Sequence, residues 1–218
     1  MKRLLLLPLF LVALAFAPAS ASAAVNFTLS ESAVSNLFTG TLNLTITGLT
    51  FGEPVVLQKF IDANNNGLVD ADEPLEGQFK FEEGEVKSIG GVRNSNVPGD
   101  SDGVINGVIT EAFDFSNPRD FAHHVASYVF RVSSPSGNFA PVVRTFAVTN
   151  STLGQGVTGT VTGVPYAFVV LLKPTADGGG EPFAGGIANG WGAFSISCPP
   201  GNYQVIAIKS GMVSVSQR

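Results

Sequence analysis

From Val25 onward the chain is written in short alternating runs of Val, Thr, Ile, Leu and Phe, interrupted by Gly, Pro, Asn and Ser, and this pattern restricts it to β-structure. The runs include "VNFTLS", "TLNLTITGLTF", "PVVLQKFI", "QFKFEEGEV", "GVINGVITEAFDF", "SYVFRVSS" and "VVRTFAVT". In "TLNLTI", Leu42, Leu44 and Ile46 fall on one face and polar residues on the other, the period of a half-buried strand. No stretch sustains a 3.6-residue period with caps, although "DFAHHVASYVF" has room for one helical turn. Many short strands at this spacing predict an all-β, antiparallel sandwich.

A composition shift follows Thr149. The segment "NSTLGQG" is polar and contains glycine, and a second β set comes after it: "GVTGTVTG", "YAFVVLLKP", "PFAGGIAN" and "GAFSISCPPGNYQVIAIKSG". The expected organisation is therefore two β-sandwich domains, residues 24–150 and 154–218, with a boundary near Asn150 to Gly154. The halves are too dissimilar to be an internal repeat.

The first residues have the charged, apolar and small-residue order of a secretory signal peptide: Met1-Lys2-Arg3, "LLLLPLFLVALAFA", then "PASASAA". The best small-x-small site, Ala21-Ser22-Ala23, makes residues 1–23 the signal and Ala24 the mature start, with Ala19-Ser20-Ala21 next. The apolar run falls short of a bilayer span, and no cysteine follows it for lipid attachment. Expected localisation is secreted, extracellular or cell envelope, with no membrane insertion after signal removal. Removing Lys2 and Arg3 leaves 10 basic against 17 acidic residues, a net charge of −7. Such a chain, without a basic patch, makes a poor partner for nucleic acid or anionic membranes. Cys198 has no cysteine to pair with and is expected as a small buried hydrophobe, a reactive thiol or intermolecular bridge being the alternative.

The segment "FIDANNNGLVDADEP" carries the densest chemistry in the chain. A calcium ion takes six to eight oxygen ligands, and a 12-residue loop supplies them from positions 1, 3, 5, 7 (main-chain carbonyl), 9 and 12, with glycine at position 6. From Asp62 these positions hold Asp62, Asn64, Asn66, Leu68, Asp70 and Glu73, with Gly67 at the turn. The alternative is an acidic hairpin turn. "PVVLQKFI" before the loop reads as strand, and Pro74 after Glu73 would break an exit helix, so the loop is expected between strands. It resembles the EF-hand and dockerin calcium loops and, more closely in context, those of the B-type repeats of Gram-positive surface adhesins, where a sandwich carries D-x-N-x-N-G-x-x-D-x-x-E. The resemblance implies a structural calcium ion. Three carboxylates suit the weaker affinities of extracellular modules, and a closed oxygen cage leaves no open position for a substrate.

Other constellations are weaker. "PGDSDG" contains a formal G-x-S-x-G around Ser101, but the strand-to-helix context of a nucleophile elbow is missing and both histidines lie downstream. An acidic turn, or a second calcium contact through Asp100 and Asp102, are the competing readings. His123 and His124 are adjacent, face opposite sides of a strand, and are expected as an ordinary exposed and half-buried pair. The sequons at Asn26, Asn43 and Asn150 depend on the host. Phe is abundant at 17 while Trp191 is the single tryptophan, expected as a turn or core residue rather than part of a sugar-stacking platform.

The second half resembles the carboxypeptidase regulatory-like family, a transthyretin-type (prealbumin-like) sandwich. Val157 to Gly163, Phe194 to Ile196 and "PPGNYQVIAIKSG" from Pro199 carry the resemblance, with Tyr203 and Val205 alternating against Ile206. The family implies an accessory module without catalytic residues; the first domain is expected to be Ig-like. That family usually adds a further strand after the region matching "AIKSG"; here "MVSVSQR" must supply it, or the chain is a fragment. The combined expectation is a non-enzymatic, calcium-binding, secreted protein of the bacterial surface or exterior with a structural or adhesive role. Its partner is an unidentified surface or matrix ligand, polysaccharide among the candidates. The rival expectation is an accessory carbohydrate- or peptide-binding module of a truncated secreted hydrolase.

Overall fold

The alternating runs become strands. A computed structural model describes residues 24–86, 88–89, 92–93, 99–115, 124–209 and 216–217. The signal-peptide reading of residues 1–23, and that of His123, lie outside these. Among the described residues there is no helix. The strands are β1 (Asn26–Leu29), β2 (Ala33–Ser35), β3 (Thr41–Thr47), β4 (Pro54–Ile61), β5 (Leu75–Glu82), β6 (Ser88–Ile89), β7 (Val92–Arg93), β8 (Val108–Asp114), β9 (His124–Ser133), β10 (Val142–Thr149), β11 (Gly156–Thr160), β12 (Phe168–Pro174), β13 (Gly180–Ile187), β14 (Ala193–Ser197), β15 (Gln204–Ile208) and β16 (Ser216–Gln217). The stretch with room for a helical turn is strand from His124 onward.

Two apolar clusters organise them. Around the first, the antiparallel sheet β1-β3-β8 faces β5-β4-β9-β10-β2. Phe27, Leu42, Leu44 and Ile46 enter from one side; Val55, Leu57, Tyr128, Phe130, Phe146 and Val148 enter from the other. The period of two predicted for "TLNLTI" is seen directly, with Leu42, Leu44 and Ile46 buried and Thr41 and Asn43 exposed. The second cluster lies between β13-β12-β15-β16 and the hairpin-like pair β11-β14, with Val169, Leu171, Ala184, Ile196 and Cys198 buried. Tyr203 and Val205 pack against it as the alternation requires. Cys198 is a buried thiol, its pKa pushed up by desolvation. Ser216 and Gln217 add a short strand to β15, so the tail does pair there.

The halves are not strung on a free joint. Strand β9 pairs with β4 and β10 in the first, while its start runs parallel to β13, with His124 opposite Gly185 and Val125 opposite Gly186. One nine-stranded sheet therefore passes through both clusters. The glycines are needed there: a Cβ on Gly185 would lie 2.5 Å from His124 Cδ2, and one on Gly186 2.9 Å from Ile196 Cγ1. The His124 ring meets Phe168 edge-on with centroids 5.1 Å apart, and Phe168 and Ile187 pack on the first cluster. His124 is thus buried in the seam, in place of the exposed or half-buried position expected.

One inward row breaks the apolar pattern. Along β4 the core-facing positions are Val55, Leu57, Lys59 and Ile61, and Lys59 pairs across the ladder with Gly77 of β5. A β-bulge follows, between Lys59 and Phe60.

Candidate metal centre

The loop from Asp62 to Pro74 leaves β4 and returns as β5, strand on both sides as Pro74 predicts. Its neck is closed by Ile61 N–H donating to Pro74 O at 3.0 Å. Asp62 N–H donates to Ser127 O of β9 at 2.9 Å, so the first acidic residue is anchored to the strand that both halves share.

Inside the neck the chain turns through two left-handed residues, Asn65 (φ 57°) and Gly67 (φ 72°). Asparagine tolerates that conformation, and glycine adopts it without strain. The Asp62 carboxylate holds the turn: Oδ1 accepts from Asn66 N–H at 3.0 Å and Oδ2 from Gly67 N–H at 2.9 Å. Asn64 Oδ1 accepts from Asn66 N–H, and Asn66 Oδ1 from Leu68 N–H, at 3.0 and 2.8 Å. Both amide nitrogens converge on one acceptor, Asp70 Oδ2, at 2.7 and 2.8 Å. Glu73 ties the ends together, its Oε1 accepting from Ala63 N–H at 3.2 Å and its Oε2 from Asp70 N–H at 3.1 Å. Leu68 projects its side chain to solvent.

Asp62 and Glu73 are 6% and 8% exposed. Two ion pairs occur among the described residues, Lys59–Glu76 and Lys80–Glu82, and none of Asp62, Asp70 or Glu73 joins either. The loop thus carries three carboxylates and two amides within twelve residues, and the hydrogen bonds that their oxygens accept come from neutral N–H donors. That donor chemistry fits a hard cation, which takes all-oxygen ligation. An amide offers its nitrogen to a carboxylate and its oxygen to a cation, so Asn64 and Asn66 must reverse to serve as ligands. Among the described residues no three Asp, Glu, His or Cys side chains form a preassembled metal cluster.

Asp100 and Asp102 do not make a second site together. Asp100 is buried and its two oxygens accept from Thr110 N–H at 3.2 Å and Gly84 N–H at 2.8 Å, bracing the turn after β5 against β8. Asp102 is exposed and closes its own turn on Val104 N–H. Ser101 donates to Thr110 O at 2.7 Å and also contacts Thr110 Oγ1, so its hydroxyl pins the loop to β8. Trp191 is 87% exposed on the turn between β13 and β14.

Sequence reasoning missed how many carboxylates are used as turn braces. Glu83 is buried; its Oε1 accepts from the N–H groups of Asn106, Gly107 and Val108, and its Oε2 from Gly52 N–H at 2.7 Å. Glu53 accepts from Ser134 Oγ at 2.6 Å and Asn138 Nδ2 at 2.5 Å. The available signal was an acidic residue beside glycine in "FGEP", "EEGE" and "PGDSDG", where side-chain oxygens find unpaired main-chain donors. No protein-family model matches this chain, and no curated protein matches its sequence.

Proposed function

We propose that this protein is a secreted, non-enzymatic, calcium-binding β-sandwich protein of the bacterial surface or exterior, with a structural or adhesive role. In this reading an Ig-like sandwich, residues 24–150, carries the calcium loop, and a transthyretin-type sandwich of the carboxypeptidase regulatory-like kind, residues 154–218, follows it. The observation that carries the reading is the loop itself. Asp62, Asp70 and Glu73 lie on one turn that is knitted only by N–H donors and is fastened through Asp62 N–H to Ser127 of β9. Asp62, Asn64, Asn66, Asp70 and Glu73 would hold the ion through side-chain oxygens and Leu68 through its carbonyl. The ion would screen three mutually repelling carboxylates and lock the β4–β5 connection. The bacterial and surface assignments rest on the resemblance of the loop to adhesin repeats. Thermal unfolding in chelator and in millimolar calcium, with magnesium as control, tests it: a calcium-selective rise in Tm supports a structural ion, and an unchanged Tm removes it.

The exposure of Trp191 favours one other reading, an accessory module that binds polysaccharide or peptide for a hydrolase. A solvent-facing indole can stack on a sugar ring. Retardation in a polysaccharide-containing native gel that Trp191→Ala abolishes would support this reading over the first.

A further inference from the structure

Between β5 and β8 the first apolar cluster is incompletely filled. A cavity of about 230 Å³ is bounded by a chain of rings, Phe79, Phe113, Phe130 and Phe146, whose successive centroids lie 6.2, 6.5 and 6.0 Å apart. Its polar lining includes one charged pair: Lys59 Nζ lies 2.7 Å from Glu76 Oε2, with the two side chains only 12% and 10% exposed. Lys59 Nζ also sits 3.9 Å from the centre of the Tyr128 ring.

Two features make this space a site rather than a packing fault. Gly77, which also lines the cavity, stands opposite Lys59 where a strand side chain would fill it. Gly77 borders the β-bulge, but it is not among the left-handed glycines, and a Cβ there would meet only the Phe79 ring at 3.6 and 3.7 Å, ordinary contact, so a side chain would fit where the sequence has none. The second feature is that the Lys59–Glu76 ion pair, nearly enclosed, forms the one charged stretch of a wall otherwise made of Leu42, Gly77 and phenylalanine rings. A buried ion pair is expensive to desolvate unless its remaining valences are met.

We propose that this cavity binds a small neutral aromatic alcohol, a ring with a short alkyl substituent whose hydroxyl sits against the Lys59–Glu76 pair, donating to the Glu76 carboxylate and accepting from Lys59 Nζ. The charges select the class. An anion would face the Glu76 carboxylate and a cation the Lys59 ammonium, whereas a hydroxyl satisfies both. The size agrees, since an apolar cavity of about 150 Å³ accepts benzene, and the extra volume takes a few more heavy atoms. The rings supply edge-to-face contacts to an aromatic guest.

The test is calorimetric titration of the protein with 4-ethylphenol and with 4-ethyltoluene, which replaces the hydroxyl by a methyl group. The phenol is expected to bind saturably, at least about tenfold tighter than the hydrocarbon, as befits a hydrogen bond to a charged acceptor. Glu76→Gln should narrow that ratio while leaving the hydrocarbon bound, and Gly77→Val should abolish both by filling the space. If Gly77→Val fails to fold, Gly77→Ala replaces it and must weaken both guests. Absence of saturable binding, equal affinity for the two probes, or binding indifferent to Gly77 substitution would each overturn the proposal. None of these outcomes depends on calcium.

Discussion

Asn36 Nδ2 donates to the main-chain oxygen of Ser197 at 2.8 Å, joining residues 161 positions apart, and its Oδ1 accepts from Ser151 N–H at 2.9 Å. The side chain is buried while its two partners are half-buried. Asn36→Leu keeps most of the volume and leaves these partners without their side-chain ligand. The expected cost is about 1–3 kcal/mol, read as a lower urea midpoint with an unchanged slope.

Asp62 has two jobs that separate experimentally. Its carboxylate accepts from Asn66 and Gly67, so Asp62→Ala should lose about 1–3 kcal/mol in chelator alone. It should also lose the calcium-dependent rise in Tm, which for the parent protein is worth about 2.7 kcal/mol at a hundredfold excess over the dissociation constant. Glu73→Ala should remove the same rise. Scanning calorimetry with and without calcium distinguishes the two losses.

Tyr128 predicts an alkaline limit. Its phenol is fully buried and donates to His124 O at 2.7 Å; burial, then the nearby Glu76 charge, hold its pKa well above the ordinary value. The native state keeps this proton where the unfolded chain loses it near pH 10. Tyr128 therefore adds no pH dependence below that range, and its contribution declines as pH climbs above it. Tyr128→Phe should flatten part of that decline, at a cost near pH 8 of about 1 kcal/mol for the lost bond. Urea unfolding from pH 8 to 11 measures both.

The seam can be probed by a double substitution. Gly185→Ala places a methyl 2.5 Å from the His124 ring and 3.2 Å from Val169 O, and should cost more than about 2 kcal/mol. His124→Ala removes the ring but not the carbonyl. The pair should therefore show a favourable coupling of about 1 kcal/mol with incomplete rescue. Chemical denaturation of the four proteins completes the cycle.

The period of two in "TLNLTI" and the strand-flanked loop from Asp62 were legible because each is a local matter of alternation, glycine and proline. The shared sheet was not. It rests on a two-residue parallel contact of β9 with β13, too short to leave a pattern; the further link from Asn36 to Ser197 of β14 was hidden too, since Asn36 reads as any turn asparagine. Lys59 was read within an ordinary strand because exposed and core-facing lysines look alike until a partner such as Glu76 is seen. Within the loop, the spacing of the acidic and amide residues from Asp62 to Glu73 could be read off the sequence. The direction in which Asn64 and Asn66 turn their amides could not, since it follows from Asp70 drawing both nitrogens.

The pairing of β2 with β10 also has a consequence in time. Residues 33–35 lie parallel to residues 147–149, more than a hundred positions downstream, and β9, already paired with β4 and β10, gains its third partner only with Gly185 and Gly186. A chain emerging from its N-terminus cannot complete the first cluster until β10 is out, nor join the two clusters until β13 follows. Closing such distant contacts is slow, because loop entropy is lost before the pairing rewards it. Refolding should accordingly be slow for a chain of this size, and the unfinished chain, with strand edges still open, stays pliable until nearly all of it is present.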